Sequence, residues 1–209
     1  MLAPVLFAIG AATATPPPPI VDDRAAKIDR ALAEDARRMR VWYAGWTAFY
    51  TVATGFSMKV ALDGGDRDRR VGAAVDAVRS GLGLVTTVLF VPPSLSPPRL
   101  ADGDVAAREK WLEEAADAER LGRSWLSHLG NAAVNAAGGG YLWLHEHRFV
   151  AGLVAFVSGT LIGEVKIWTQ PTTAEDARTS LRAARSRVQI AVAPTLSTTS
   201  LAVTIQARF

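Results

Sequence analysis

Apolar positions along the chain fall into two regimes. In 21–40 and 104–129 they recur at three- and four-residue steps among charged residues, whereas in 41–62, 71–91, 126–144 and 149–168 charge nearly disappears. The first regime predicts amphipathic helices; the second predicts segments of about 20 residues, the length that crosses a bilayer. Ile28, Leu32, Ala36 and Met39 form one amphipathic stripe, and Trp111, Ala115, Ala118, Gly122 and Trp125 another. No breaker separates Arg40 from Val41, so one helix is expected to pass from water into lipid, with Trp42, Tyr43 and Trp46 at the headgroup level.

Punctuation supports this division. Asp63-Gly64-Gly65-Asp66 reads as a turn, Pro92-Pro93 ends the second apolar segment, and 94–103 is a loop. Asp104 is placed to cap the next helix, which is expected to continue into the third apolar segment. His145 to Arg148 form a short polar connection; Gln170-Pro171 close the fourth segment, and Thr172, Thr173 and Glu175 start a helix through about Arg185. At the end the period changes to two. Val188, Ile190 and Val192, then Leu201, Val203, Ile205, Ala207 and Phe209, alternate with polar or small residues, the pattern of a β-hairpin.

The expected fold is mainly α: a polytopic helical membrane protein of about four spans with amphipathic helical extensions and a small C-terminal β-hairpin. Residues 21–187 form the helical membrane domain and 188–209 the hairpin tail. An apolar stretch, Leu2 to Ala12, followed by Ala12-Thr13-Ala14, predicts a signal peptide over 1–14 with a Pro-rich linker at 15–20. The final residues, Leu201 to Phe209, resemble the closing strand of bacterial outer-membrane barrels, which ends on an aromatic. A barrel needs many such strands, and the remainder reads as helix.

Composition alone, 49% hydrophobic and 21% charged, would suit a soluble protein; the uneven spread of charge is what changes that. The net charge of +3 gives no nucleic-acid partner, because Lys and Arg alternate with Asp and Glu instead of forming a basic stripe. With no cysteine the chain has no disulfide and no thiol chemistry.

Candidate residues lie mostly in the apolar segments. Ala151, Ala155, Gly159 and Gly163 recur every fourth position, a stripe that lets another helix approach closely. Thr47, Thr51, Gly55 and Lys59 form a comparable stripe that is expected to receive it. Lys59, Asp76, Arg79 and Glu164 are intramembrane charges, structural or transport-related. Lys59 is expected to pair with Asp76, Arg79 to draw on Asp76 three residues back, and Glu164 and Lys166 to reach the opposite surface. Asn131 and Asn135 share a helix face and suit bonding between helices. His145 and His147 are weak metal candidates, since His128 lies about 25 Å away along a straight helix; no metal or cofactor is assigned.

No nucleophile elbow, phosphate loop or dinucleotide fingerprint is present. The expected role is a non-enzymatic interaction or scaffold protein whose partners are the lipid bilayer and a protein or a second copy. The alternatives are a small transporter or channel subunit using Asp76 and Arg79, then a membrane-surface metal-dependent enzyme. Localisation is expected in the bacterial inner membrane with an exported N-terminus. Against that orientation, 16 of the 23 Lys and Arg residues fall on the surface carrying the termini, which positive-inside counting puts in the cytoplasm.

Overall fold

The computed structural model describes residues 23–63, 65–98, 101, 104–186, 189–196 and 201–208. The expected signal peptide, 1–14, and Pro-rich linker, 15–20, lie outside the described residues. The protein is mainly helical: α1 (Asp23–Asp63), α2 (Arg67–Leu89), α3 (Val105–Gly122), α4 (Trp125–Gly140), α5 (Phe149–Trp168) and α6 (Thr173–Ser186).

Helix α1 is unbroken for 41 residues. Its first half carries the apolar stripe on one face, while on the other Glu34 accepts from Arg37 Nη2 at 2.8 Å and Arg38 Nε at 2.5 Å. Ile28 and Leu32 pack against Leu112, Ala115 and Ala116 of α3 and Ala174 of α6, with Trp111, Ala177 and Leu181 around them. Arg178 is buried beside this core, a position that requires paired charge. Asp117 accepts from its Nη1 at 2.7 Å, and Glu113 lies at 3.4 Å. Asp104 caps α3 through the Ala107 N–H at 2.9 Å.

Beyond residue 40 the burial pattern inverts. Val52, Phe56 and Leu62 of α1, Val78, Val85 and Leu89 of α2, Leu126 and Leu129 of α4, and Val150, Val154, Leu161 and Val165 of α5 are all exposed. Two of the described helices, Arg67–Leu89 and Phe149–Trp168, are long and apolar enough to cross a membrane. Helices α1 and α2 pair as one hairpin; α4 and α5 pair as a second. At their shared end Arg67 Nη1 donates to Glu146 at 2.8 Å and Arg148 Nη1 to the Asp68 carbonyl at 2.6 Å.

The expected continuation of α3 into the third apolar segment is corrected: α3 stops at Gly122, and Ser124 turns to extended backbone before α4 begins. The side-chain amide of Gln170 occupies the space a Cβ at Gly122 would take. A single π-helical turn, Tyr141–His145, follows α4, and His147 adopts a positive φ of 56° in the turn into α5. After α6, strands β1 (Gln189–Leu196) and β2 (Leu201–Arg208) pair antiparallel, with Gln189 opposite Arg208 and Leu196 opposite Leu201.

Candidate functional site

A ladder of polar side chains joins α2, α4 and α5. His128, Asn131 and Asn135 occupy positions i, i+3 and i+7, hence one face of α4. His128 Nδ1 lies 2.6 Å from Glu164 Oε2. Asn131 Nδ2 donates to Glu164 Oε1 and to the Thr160 carbonyl, both at 2.9 Å. Asn135 Nδ2 donates to Asn131 Oδ1 at 2.9 Å. Asn135 Oδ1 then accepts from Arg79 Nε and Nη2, at 2.9 and 2.6 Å. The remaining Arg79 donors reach Asp76 Oδ1 at 2.9 Å and the Ala155 carbonyl at 2.6 Å. A guanidinium with five N–H donors is thereby held by a carboxylate, an amide and a backbone carbonyl.

Glycines make the room. The space of a Cβ at Gly159 is taken by the Arg79 guanidinium and Asn135 Oδ1, and that of a Cβ at Gly163 by the Asn131 amide. At Gly138 the Arg79 Cδ stands 2.5 Å from the Cβ position. Of the stripe Ala151, Ala155, Gly159 and Gly163, the two glycines therefore face polar side chains from α2 and α4 rather than a bare helix backbone. The close backbone approach occurs elsewhere. A Cβ at Gly139 would lie 2.6 Å from the Gly152 carbonyl oxygen, and Gly152 meets the Gly139 carbonyl in return.

The second stripe does not receive the first. Thr51 is exposed and nothing stands within 4 Å of a Cβ at Gly55. The expected Lys59–Asp76 pair is likewise replaced. Lys59 Nζ meets Asp63 at 2.6 Å, four residues on in the same helix, and Asp76 is engaged by Arg79.

In front of the ladder lies a chamber of about 780 Å³ between the two hairpins, reaching to the end of α3. Arg79, Asn131, Asn135, Lys166 and Glu119 are its main polar lining, with Phe49, Leu82, Phe90, Val134 and Ile162 among its apolar walls. Lys166 Nζ donates to Thr87 Oγ1 at 2.6 Å and lies 5.1 Å from the Tyr50 ring centroid and 6.0 Å from that of Trp42. Gly83 lacks the Cβ that would strike the Tyr50 ring. Trp42 Nε1 and Trp46 Nε1 each donate to Thr169 Oγ1 at 3.3 Å, which fixes α1 against the end of α5.

At the end of the chamber nearest the α1, α3 and α6 core sits a buried pair of acids. Asp35 and Glu119 are 0% and 1% exposed. Ser94 Oγ donates to Asp35, and the Glu119 oxygens accept from the Ala174 and Glu175 N–H groups at the start of α6, at 3.2 and 2.8 Å. Burial, followed by the adjacent Asp35 carboxyl, pushes the Glu119 carboxyl up to about 8. Neither acid stood out in the sequence, because each lies on a helix whose acidic residues otherwise face water.

His145 stacks on Tyr141, ring centroids 5.0 Å apart, and both His145 and His147 are exposed. Among the described residues no three His, Asp or Glu side chains converge as a metal-binding group. Comparison of the chain with family models, curated proteins and solved structures gives no match.

Proposed function

We propose that this chain is a four-span membrane protein, crossing at 41–62, 71–91, 126–144 and 149–168, and that its chamber is a ligand site of a small transporter or carrier subunit. The observation that carries the reading is the chamber itself, lined by Asp76 and Arg79. Buried polar side chains at membrane depth are costly unless they serve packing or a pathway. A pure packing role needs no open volume beside them. The band of exposed apolar residues on α1, α2, α4 and α5 supports placing all four in lipid, although only α2 and α5 meet the length and apolarity of a crossing by themselves. The bacterial inner membrane, with the N-terminus exported, is the location we propose with it.

The scaffold reading rests on a different observation: Arg79 is already held by Asp76, Asn135 and Ala155. A cation with all its partners in place serves as a structural tie.

The absence of cysteine makes a direct test available. Ser127 and Ser158 line the chamber, whereas Val154 is an exposed residue of the apolar band. In reconstituted vesicles a charged, membrane-impermeant thiol reagent is expected to modify Ser127→Cys and Ser158→Cys and to spare Val154→Cys. Equal protection of all three would overturn the chamber reading and leave the scaffold in its place.

A further inference from the structure

Lys166 is the chamber cation without an anion. Its ammonium carries three donors, of which one meets Thr87 Oγ1, and its other neighbours are the Tyr50 and Trp42 rings. The acids nearby in sequence or in the chamber are committed elsewhere. Glu164 is engaged by His128 and Asn131, Asp76 by Arg79, and Glu119 by the α6 N–H groups. Among the described residues no carboxylate pairs with Lys166. An ammonium drawn partly out of water is costly without a counter-charge. The structure holds one such lysine beside an open volume.

Size and lining define what brings the counter-charge. About 780 Å³ falls in the range of about 300–1,000 Å³ that holds a drug-sized ligand, suiting one acyl chain better than the two of a phospholipid. Phe49, Leu82 and Phe90 line the chamber and are themselves exposed apolar residues, and Phe49 and Leu82 stand on α1 and α2, two of the helices that carry the exposed apolar band. A hydrophilic anion gains nothing from such walls. We propose, resting on the chamber reading above, that the occupant is a single-chain anionic amphiphile drawn from the bilayer, its carboxylate or phosphate head on Lys166 and its chain along Leu82, Val134 and Ile162.

The test uses the full chain in phosphatidylcholine nanodiscs with radiolabelled palmitate as probe. Saturable binding is expected, displaced by hexadecyl phosphate and not by hexadecanol, acetate or inorganic phosphate. Lys166→Met is expected to weaken palmitate binding about tenfold, the scale of one charge-assisted hydrogen bond, while Lys166→Arg retains it. Ile162→Trp, which fills the chamber and keeps the lysine, is expected to abolish binding; it keeps the test decisive if Lys166→Met fails to fold. Displacement by hexadecanol as effective as by hexadecyl phosphate, or binding untouched by both Lys166→Met and Ile162→Trp, overturns the proposal. Displacement by acetate or inorganic phosphate overturns it in favour of a small soluble anion. Failure of palmitate to bind while the chamber cysteines still react with the thiol reagent refutes the ligand class alone; loss of both refutes the chamber.

Discussion

Substituting Glu119 by glutamine should remove a specific pH dependence of stability. The carboxyl is buried beside Asp35 and is pushed up to about 8 from an ordinary value of 4.5. Between those two pH values the folded protein holds a proton that the unfolded chain has released, so stability falls as pH rises. The contribution is complete below pH 4.5 and gone above about 8. Each pH unit inside that window changes the folding equilibrium up to tenfold, on the order of 5 kcal/mol across the whole window. Glutamine is nearly the same size and stays neutral throughout. Its one oxygen can keep the shorter bond, from the Glu175 N–H, while its amide donates to Asp35; the longer bond from the Ala174 N–H is given up. Denaturation followed by helical circular dichroism in a non-ionic detergent, at pH 5, 6, 7 and 8, is expected to show wild type weakening steadily and Glu119→Gln holding nearly level, with the variant at least as stable as wild type at pH 8. A level wild-type profile, or the same slope in both proteins, would refute the assignment of the proton to this pair.

Three further outcomes follow from the two helical hairpins and the membrane placement proposed for them. Gly159→Leu and Gly163→Leu displace the Arg79 guanidinium and the Asn131 amide and are expected to cost about 1–3 kcal/mol in detergent melts, whereas Leu153→Ala at an exposed site costs less; equal melting of all three would remove the ladder's steric basis. In double-mutant cycles Asp76→Leu with Arg79→Met is expected to couple by about 0.5 kcal/mol or more, and Lys59→Met with Asp76→Leu to be additive; coupling in the second cycle would place Lys59 on Asp76 after all. A reporter active only in the cytoplasm is expected to stay silent when fused after Phe209, with Met1 absent from the purified chain by mass spectrometry. An intact Met1 with an active reporter would reverse the proposed orientation.

Periodicity made the amphipathic elements legible in part: the α1 stripe of Ile28, Leu32, Ala36 and Met39 is buried at its expected spacing, whereas of the α3 stripe only Trp111 and Ala115 join the core, beside Leu112 and Ala116, and Trp125 is exposed at the start of α4. Asp104 caps where a short polar acceptor before an apolar run should. Asn131 and Asn135 were legible as a pair because one helical turn separates them. What fills a glycine's empty side was not. A small residue records only that something approaches, so Gly159 reads alike whether it admits a backbone or a guanidinium, and Gly152, outside the four-residue stripe, gave no sign of meeting Gly139. The partner of Lys59 was ambiguous for another reason. Asp63 and Asp76 both lay within conceivable reach, and the acid four residues along the same helix needs no tertiary closure. Asp35 and Glu119 are 84 positions apart, each among exposed charges, so only the fold reveals that they share a buried space. The break before α4 was hidden because Arg123 and Ser124 are residues a helix readily tolerates.

Helix α1 is a rod. Its 41 residues extend about 60 Å at 1.5 Å per residue, with Asp35 of the acid pair on one side of its midpoint and Tyr50 at the chamber wall on the other. A tilt of about 5° around its midpoint carries each tip sideways by about 3 Å. Because no hinge interrupts the rod, whatever widens the space around Tyr50 also swings Ile28 and Leu32 across the faces of α3 and α6. On the proposed reading of the chamber, its occupancy and the packing of Ile28 and Leu32 would then be two readings of a single lever angle.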